Sequence, residues 1–143
     1  MRQRIDIDES DSFAADVKNR IAEFNAMHWD ESLRRPLGLK IVDDGGQLQA
    51  AVTGRTFGHW FLLDYLWVDS KCRGKGLGTQ LLIAAEQQAQ ARGCCYVLLD
   101  TLDFQARPFY QRQGYQLVWT QTDYPLTGRK YFLRKNLGES ATR

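Results

Sequence analysis

The sequence predicts a single-domain α/β fold, a mixed and mostly antiparallel sheet flanked by helices. Three observations predict it. Stretches with helical spacing of apolar residues and short apolar runs succeed one another as helix, three strands, helix, strand, helix, two strands. A glycine-rich turn, Gly74-Lys75-Gly76-Leu77-Gly78, separates the most apolar run from an amphipathic helix. The 143 residues suffice for one hydrophobic core and fall short of two.

Taken in order, Ile5 and Ile7 mark a short first strand, and Ser10 or Asp11 caps a helix. Phe13, Val17, Ile21, Phe24 and His28 recur along that helix at helical spacing, a face expected to pack on the sheet. Leu37 to Val42 and Leu48 to Thr53 read as two strands joined by Asp43-Asp44-Gly45-Gly46, a hairpin signal. Trp60 to Val68 is almost entirely apolar, as suits a central strand covered on both faces. A helix from about Gly76 to Arg92 buries Leu81, Leu82, Ala85 and Ala89, and closes on Arg92 and Gly93. Tyr96 to Leu99 forms a buried strand, with Cys94 and Cys95 as small apolar residues beside it. Phe104 to Gln113 makes a second helix ended by Gly114, and Tyr115 to Thr120 and Tyr131 to Arg134 close the sheet. The domain is taken as 1–143, with a frayed tail from Gly138 to Arg143.

Composition narrows the function classes. Hydrophobic residues at 43% and charged residues at 25% fit an ordinary globular protein. The formal charge of +2 is too balanced for a nucleic-acid surface. No apolar run approaches a membrane span, and Met1-Arg2-Gln3-Arg4 opens no signal peptide, so a cytoplasmic location is expected. Cys72, Cys94 and Cys95 form no C-x-x-C pair, and no metal is expected.

Glycines at 74, 76 and 78 let the backbone turn with its N–H groups outward, and the following helix adds the positive end of its dipole. An anion is the natural occupant, with Lys71, Arg73 and Lys75 supplying charge for more than one phosphate. A Walker loop would need Lys-Ser/Thr after its last glycine, where Thr79 and Gln80 stand; a dinucleotide fingerprint would need G-x-G-x-x-G at a first strand. Neither fits.

The segment from Val68 through Arg73-Gly74-Lys75-Gly76-Leu77-Gly78 to Leu82 resembles the acetyl-CoA-binding motif of the GNAT superfamily of N-acetyltransferases, with Arg73, Gly76 and Gly78 in its three defining places. Downstream, Ala106-Arg107-Pro108-Phe109-Tyr110 to Gly114-Tyr115 resembles a second landmark of that family. The resemblance spans roughly Trp60 to Leu137. It implies the GNAT fold, with a splayed central strand pair and the pantetheine arm of acetyl-CoA laid in the cleft. The backbone of Leu66 and Val68 would pair with the pantetheine amides, and the N–H groups of Gly74, Lys75, Gly76, Leu77, Gly78 and Thr79 would hold the pyrophosphate. Ala106 would lie beside the cofactor. Asp103 stands where the family often has an asparagine on the cofactor arm, and Gln105 could supply the amide instead.

Acetyl transfer to an amine needs the amine deprotonated, an oxyanion stabilised and a thiolate expelled. Tyr110 occupies the place from which relatives donate to the departing sulfur. Asp64, the one charge inside Trp60 to Val68, is a candidate base or the partner of an arginine; His59 is a second candidate by pKa. The family fold would bring the segments of Trp29, Trp60, Trp67, Trp119 and Tyr124 around the acceptor cleft as an aromatic-walled pocket, with ordinary core and rim aromatics the alternative; Arg34-Arg35-Pro36 is a solvated loop or a reader of acceptor carboxylates. The expected partners are acetyl-CoA, a small-molecule or peptide amine, and a second copy in a homodimer. The alternative is an acyl-CoA-binding regulatory or interaction protein without catalysis.

Overall fold

The computed structural model describes residues 2–138, so all of the tail expected to fray except Gly138 lies outside them. The chain divides into two compact units, one ending at Leu33 and one beginning at Arg34. In the first, helix α1 spans Asp11–Asn25, and the Ser10 hydroxyl accepts from the Phe13 N–H at 3.2 Å. His28 falls beyond the helix, and Ile5 and Ile7 form no strand.

The second unit contains β1 (Arg34–Val42), β2 (Leu48–Phe57), β3 (Trp60–Val68), α2 (Leu77–Ala91), β4 (Tyr96–Leu102), α3 (Arg107–Arg112), β5 (Gln116–Thr122) and β6 (Arg129–Asn136). These strands make one six-stranded sheet in the order β1-β2-β3-β4-β6-β5. Only β3 and β4 run parallel. Their connection must therefore cross over, and α2 is that crossover, packed on β1, β2 and β3. The expected Leu81, Leu82, Ala85 and Ala89 face inward, against a core that includes Val52, Phe61, Val97 and Leu133. Each such leucine, valine or phenylalanine contributes about 1.5–3 kcal/mol by burial, and each alanine methyl about 0.8 kcal/mol.

Glu86 is an addition to that face. Its carboxylate is buried, accepts from Tyr115 Oη at 2.7 Å and lies 3.0 Å from Lys135 Nζ. A buried carboxylate is tolerable only with such partners, and this pair ties α2 to the end of β6.

A bulge interrupts β2 and β3. Thr53 faces Tyr65 and Gly54 faces Leu63, so Asp64 has no counterpart. Alternation inverts across it: Phe61 and Leu63 are buried before the bulge, and Leu66 and Val68 pack toward the core after it. Asp64, expected to share the face of Leu66 and Val68, is therefore turned away from them. Gly54 makes the bulge sterically feasible, because a Cβ there would collide with the Leu62 carbonyl oxygen and lie 2.7 Å from Phe61 Cε1. Full coverage of β3 does not hold either, since Tyr65 and Trp67 are exposed. Among the described residues no helix is long and apolar enough to cross a membrane.

Candidate functional site

Pairing between β3 and β4 is brief. It runs from Trp60↔Tyr96 to Leu62↔Leu98 and stops, leaving the C-terminal halves of both strands apart. In an antiparallel pair, alternate residues direct their backbone groups to the partner strand. The Asp69 N–H bonds the Gln49 carbonyl at 2.8 Å, which assigns the odd-numbered residues at this end of β3 to β2. Leu66 and Val68 therefore present N–H and C=O to the gap, offering the ladder of a missing strand.

At the end of β3 the chain reaches the glycine turn. Gly74 and Gly76 have φ of 82° and 77°, a region that disfavours side chains, and neither would meet an atom within 4 Å if it carried a Cβ. Gly76 caps α2 without a side-chain hydrogen bond. The first bond of the helix is Gln80 N–H to the Gly76 carbonyl at 3.0 Å, so the N–H groups of Leu77, Gly78 and Thr79 have no acceptor in the helix. Three converging donors and the helix dipole form an anion cradle. A cavity of about 200 Å³ lies over it, lined by Arg73, Gly74, Gly76 and Thr79 among others. Lys71 and Lys75 are exposed beside it.

The two sequence landmarks meet in space. A Cβ on Gly78 would touch Val68 Cγ2 at 3.6 Å and Phe109 Cζ at 3.7 Å, and Gln113 Nε2 donates to Thr79 Oγ1 at 3.4 Å. Helix α3 is thereby fixed against the first turn of α2, and Tyr110, one residue on from Phe109, is carried to the gap.

Two cavities of about 290 and 540 Å³ adjoin there and share Leu66, Gln105, Ala106 and Tyr110. Tyr110 is 5% exposed and stands edge-on to Phe109 and Tyr115. Burial, reinforced by the negative charge of Asp100, pushes its phenol up to about 12. Among the described residues its hydroxyl takes part in no hydrogen bond, yet no buried side-chain oxygen lacks a partner. The hydroxyl therefore opens on the cavity, protonated and ready to donate.

The other expected site residues divide. Asp64 lines the 290 Å³ cavity, but its Oδ1 accepts from Arg55 Nη1 at 2.7 Å, the arginine pairing that had been weighed against a basic role. Asp103 turns elsewhere: its Oδ2 accepts from the Arg129 N–H at 3.2 Å, tying down the β5–β6 connection. Gln105 lines both larger cavities. Its Oε1 is taken by the Leu102 N–H at 2.7 Å, which leaves the Nε2 donor to a ligand. His59 sits in the β2–β3 turn, at the opposite end of β3 from the gap, with Nδ1 3.7 Å from Cys95 Sγ. Of the aromatic residues, Trp67 and Tyr124 line the cavities, while Trp60 stacks near Tyr96 and Trp119 near Phe132. Asp100, Thr101 and Lys130 also line the 290 Å³ cavity, and sequence reasoning passed over them. Asp100 carried a signal: it ends the apolar run Tyr96 to Leu99 as abruptly as Asp64 interrupts its own. Among the described residues no group of His, Cys, Asp or Glu gathers as metal ligands.

Comparison with known proteins points to one family. The family model described as "Acetyltransferase (GNAT) family" matches residues 4–115. A blasticidin-S acetyltransferase from Streptomyces morookaense is 41% identical over 93 residues, 64% of this chain and 68% of that protein. An acetyltransferase from Agrobacterium fabrum is 28% identical over 102 residues, 71% and 74% of the two chains. The crystal structure of an acetyltransferase from Bacillus cereus superposes with a TM-score of 0.83 at 27% identity, covering 93% of this chain and 97% of that one.

Proposed function

Because the chain belongs to the GNAT family of acetyltransferases, we propose that it moves the acetyl group of acetyl-CoA directly onto a primary amine of a small cationic molecule. The observation that carries this reading is a coincidence at one gap. The free backbone ladder of Leu66 and Val68, the open N–H groups of Leu77, Gly78 and Thr79, and the unpartnered Tyr110 hydroxyl all border it. A long ligand with a phosphate end, an amide-bearing arm and a reactive sulfur has a matching partner for each part.

In this reading the cradle from Gly74 to Thr79 holds the pyrophosphate, with Arg73 and Lys75 adding charge. Leu66 and Val68 pair with the arm amides, and Gln105 Nε2 donates where an asparagine would have stood, in place of Asp103. Ala106, small and at the start of α3, leaves room for the arm. Tyr110 donates a hydrogen bond to the sulfur as the thioester opens. With its phenol at about 12, it stabilises the thiolate as a neutral donor rather than by surrendering its proton beforehand. Asp64, half-exposed and held by Arg55 through Oδ1, orients the incoming ammonium with Oδ2.

The cavity bordered by Asp64, Asp100 and Tyr65 supports a cationic acceptor, since carboxylates and aromatic faces both attract ammonium groups. The 41% identical Streptomyces relative, a blasticidin-S acetyltransferase by name, favours a small molecule over a protein lysine. For assembly, we propose a homodimer along the edge strand β5, where Leu117, Val118 and Trp119 are 39%, 50% and 57% exposed. A monomer mass by light scattering at every concentration would overturn that assembly.

The test of function is thiol release from acetyl-CoA against a panel holding blasticidin S, spermidine and a lysine peptide. Turnover of a small amine is expected. Tight acetyl-CoA binding with no transfer to any amine would instead favour a catalytically silent acyl-CoA-binding protein. No binding at all refutes both readings.

A further inference from the structure

We infer that Asp100 is the carboxylate that receives the acceptor's ammonium beside the reacting carbonyl and takes its proton, an assignment that rests on the acetyl-transfer reading above. Four observations lead to it. Asp100 lies on β4 two residues after Leu98, the last residue paired to β3, so it stands where the two strands first part. It borders the same cavity as Tyr110, whose hydroxyl is unpartnered among the described residues although the side chain is 5% exposed. A donor that opens on a cavity and has no protein partner is placed to meet a ligand atom. Asp100 itself makes no hydrogen bond or ion pair among the described residues, in contrast to Asp64, which is held by Arg55 at 2.7 Å. Finally, its negative charge is felt at the Tyr110 phenol, in keeping with the cavity that the carboxylate and the sulfur donor share.

The charged and titratable groups around it come from every neighbouring element: Asp64 and Tyr65 from β3, Arg55 through Asp64 from β2, Tyr110 from α3, Tyr124 from the β5–β6 connection, and Arg134, drawn over the Tyr96 ring, and Lys130 from β6. Lys130 makes no ion pair with Asp100 among the described residues. Its ammonium lies over the Tyr124 ring, 4.3 Å from the centroid. The exposed position of Asp100 also lets it exchange protons with solvent between turnovers.

The balance of the step is as follows. The R–NH3⁺ group gives one proton to the Asp100 carboxylate. The freed lone pair forms the C–N bond at the thioester carbonyl carbon, and its oxygen takes the negative charge. Collapse re-forms the C=O and breaks the C–S bond; the second proton leaves nitrogen and reaches sulfur through the Tyr110 hydroxyl. Protonated Asp100 then returns its proton to water, so the amide, the free thiol and one proton are the products.

The experiment measures kcat/KM of wild type, Asp100→Asn, Asp100→Glu and Asp64→Asn from pH 6 to 10. It uses whichever of blasticidin S, spermidine or the lysine peptide the wild type acetylates, with acetyl-CoA affinity measured by calorimetry in parallel. Asp100→Asn is expected to lose about 100-fold at pH 7, the usual worth of a general base. That deficit should narrow as rising pH deprotonates the amine in solution, whose pKa lies near about 10. Acetyl-CoA affinity should hold, and Asp100→Glu should recover part of the rate, two results that a merely structural role would not give. Wild-type rates and pH profile in Asp100→Asn overturn the assignment, as does an alkaline-rescued loss found in Asp64→Asn alone. A wild-type protein that binds acetyl-CoA but acetylates no amine overturns the transfer reading itself, and this assignment with it.

Discussion

Gly76→Ala, set against Gly78→Ala, separates the shape of the phosphate turn from its bulk. At Gly76 the backbone is left-handed, with φ of 77°, and an added Cβ would meet nothing within 4 Å. The cost is therefore conformational and not steric, about 1–2 kcal/mol for a left-handed alanine. Reduced freedom of the unfolded chain offsets about 0.4–1 kcal/mol of it. A net loss of about 1 kcal/mol lowers Tm by about 4 °C in a chain of this size. The free protein can shed the strain by rotating the turn, which dissolves the convergence of the Leu77, Gly78 and Thr79 N–H groups. Any part of the 1–2 kcal/mol shed in this way leaves the Tm loss and reappears when acetyl-CoA restores the turn, up to about 5- to 30-fold in Kd. Gly78 differs in kind: it is helical, and its Cβ would rest in ordinary contact with Val68 and Phe109 without backbone strain. Alanine there gains up to about 1 kcal/mol of helix propensity. Thermal unfolding and calorimetric titration with acetyl-CoA should show Gly76→Ala weaker on both counts and Gly78→Ala close to wild type. Equal affinities for the two variants, or a weaker Gly78→Ala, would refute the cradle as drawn.

Other outcomes follow from the same geometry. Gly54→Ala forces a Cβ against the Leu62 carbonyl and Phe61 ring and should cost about 1–3 kcal/mol or more by overpacking; an unchanged urea midpoint contradicts that. Tyr110→Phe removes one donor to a developing thiolate, worth about 1.5–3 kcal/mol, so kcat should fall about 10- to 150-fold while acetyl-CoA affinity persists. Burial raises the Cys94 thiol to about 11 and the Tyr110 phenol to about 12. The folded state therefore keeps protons that the unfolded chain releases from about pH 9 and 10. Stability should be level below about pH 9 and fall progressively toward pH 12, and Cys94→Ala should remove the earlier part of that fall. A urea midpoint constant from pH 8 to 11 would contradict this sign.

The order of elements was legible because each long element carries its own period. Ser10 caps α1 and the bounds of β3 hold to the residue. Strand ends were harder to read: β2 runs on to Phe57 and β4 to Leu102, because Gly54, Arg55 and Asp100 look like breaks until neighbouring strands pair with them. Likewise α3 starts only at Arg107, since the backbone before it is committed to the Gln105 side-chain turn on Leu102. The glycine cradle could be read from spacing alone, whereas the bulge at Asp64 could not, because one unmatched residue is a property of two strands together. Asp103 illustrates the same limit. Its partner, Arg129, is 26 residues away, and nothing local announces it.

The three-residue parallel junction between β3 and β4 has a mechanical consequence. On one side stand β1, β2 and β3, an antiparallel run that closes through short local loops. On the other stand β4, β6 and β5, and the sheet itself joins these halves only from Trp60↔Tyr96 to Leu62↔Leu98. We expect so short a seam to act as a hinge, bridged by α2, which grips the first three strands and is held to Lys135 of β6 through Glu86. An extended ligand bonded to Leu66 and Val68 adds rungs along the open side of the hinge. Stiffening should then spread well past the residues it touches, and amide exchange at the far strand β6 should slow when the donor binds.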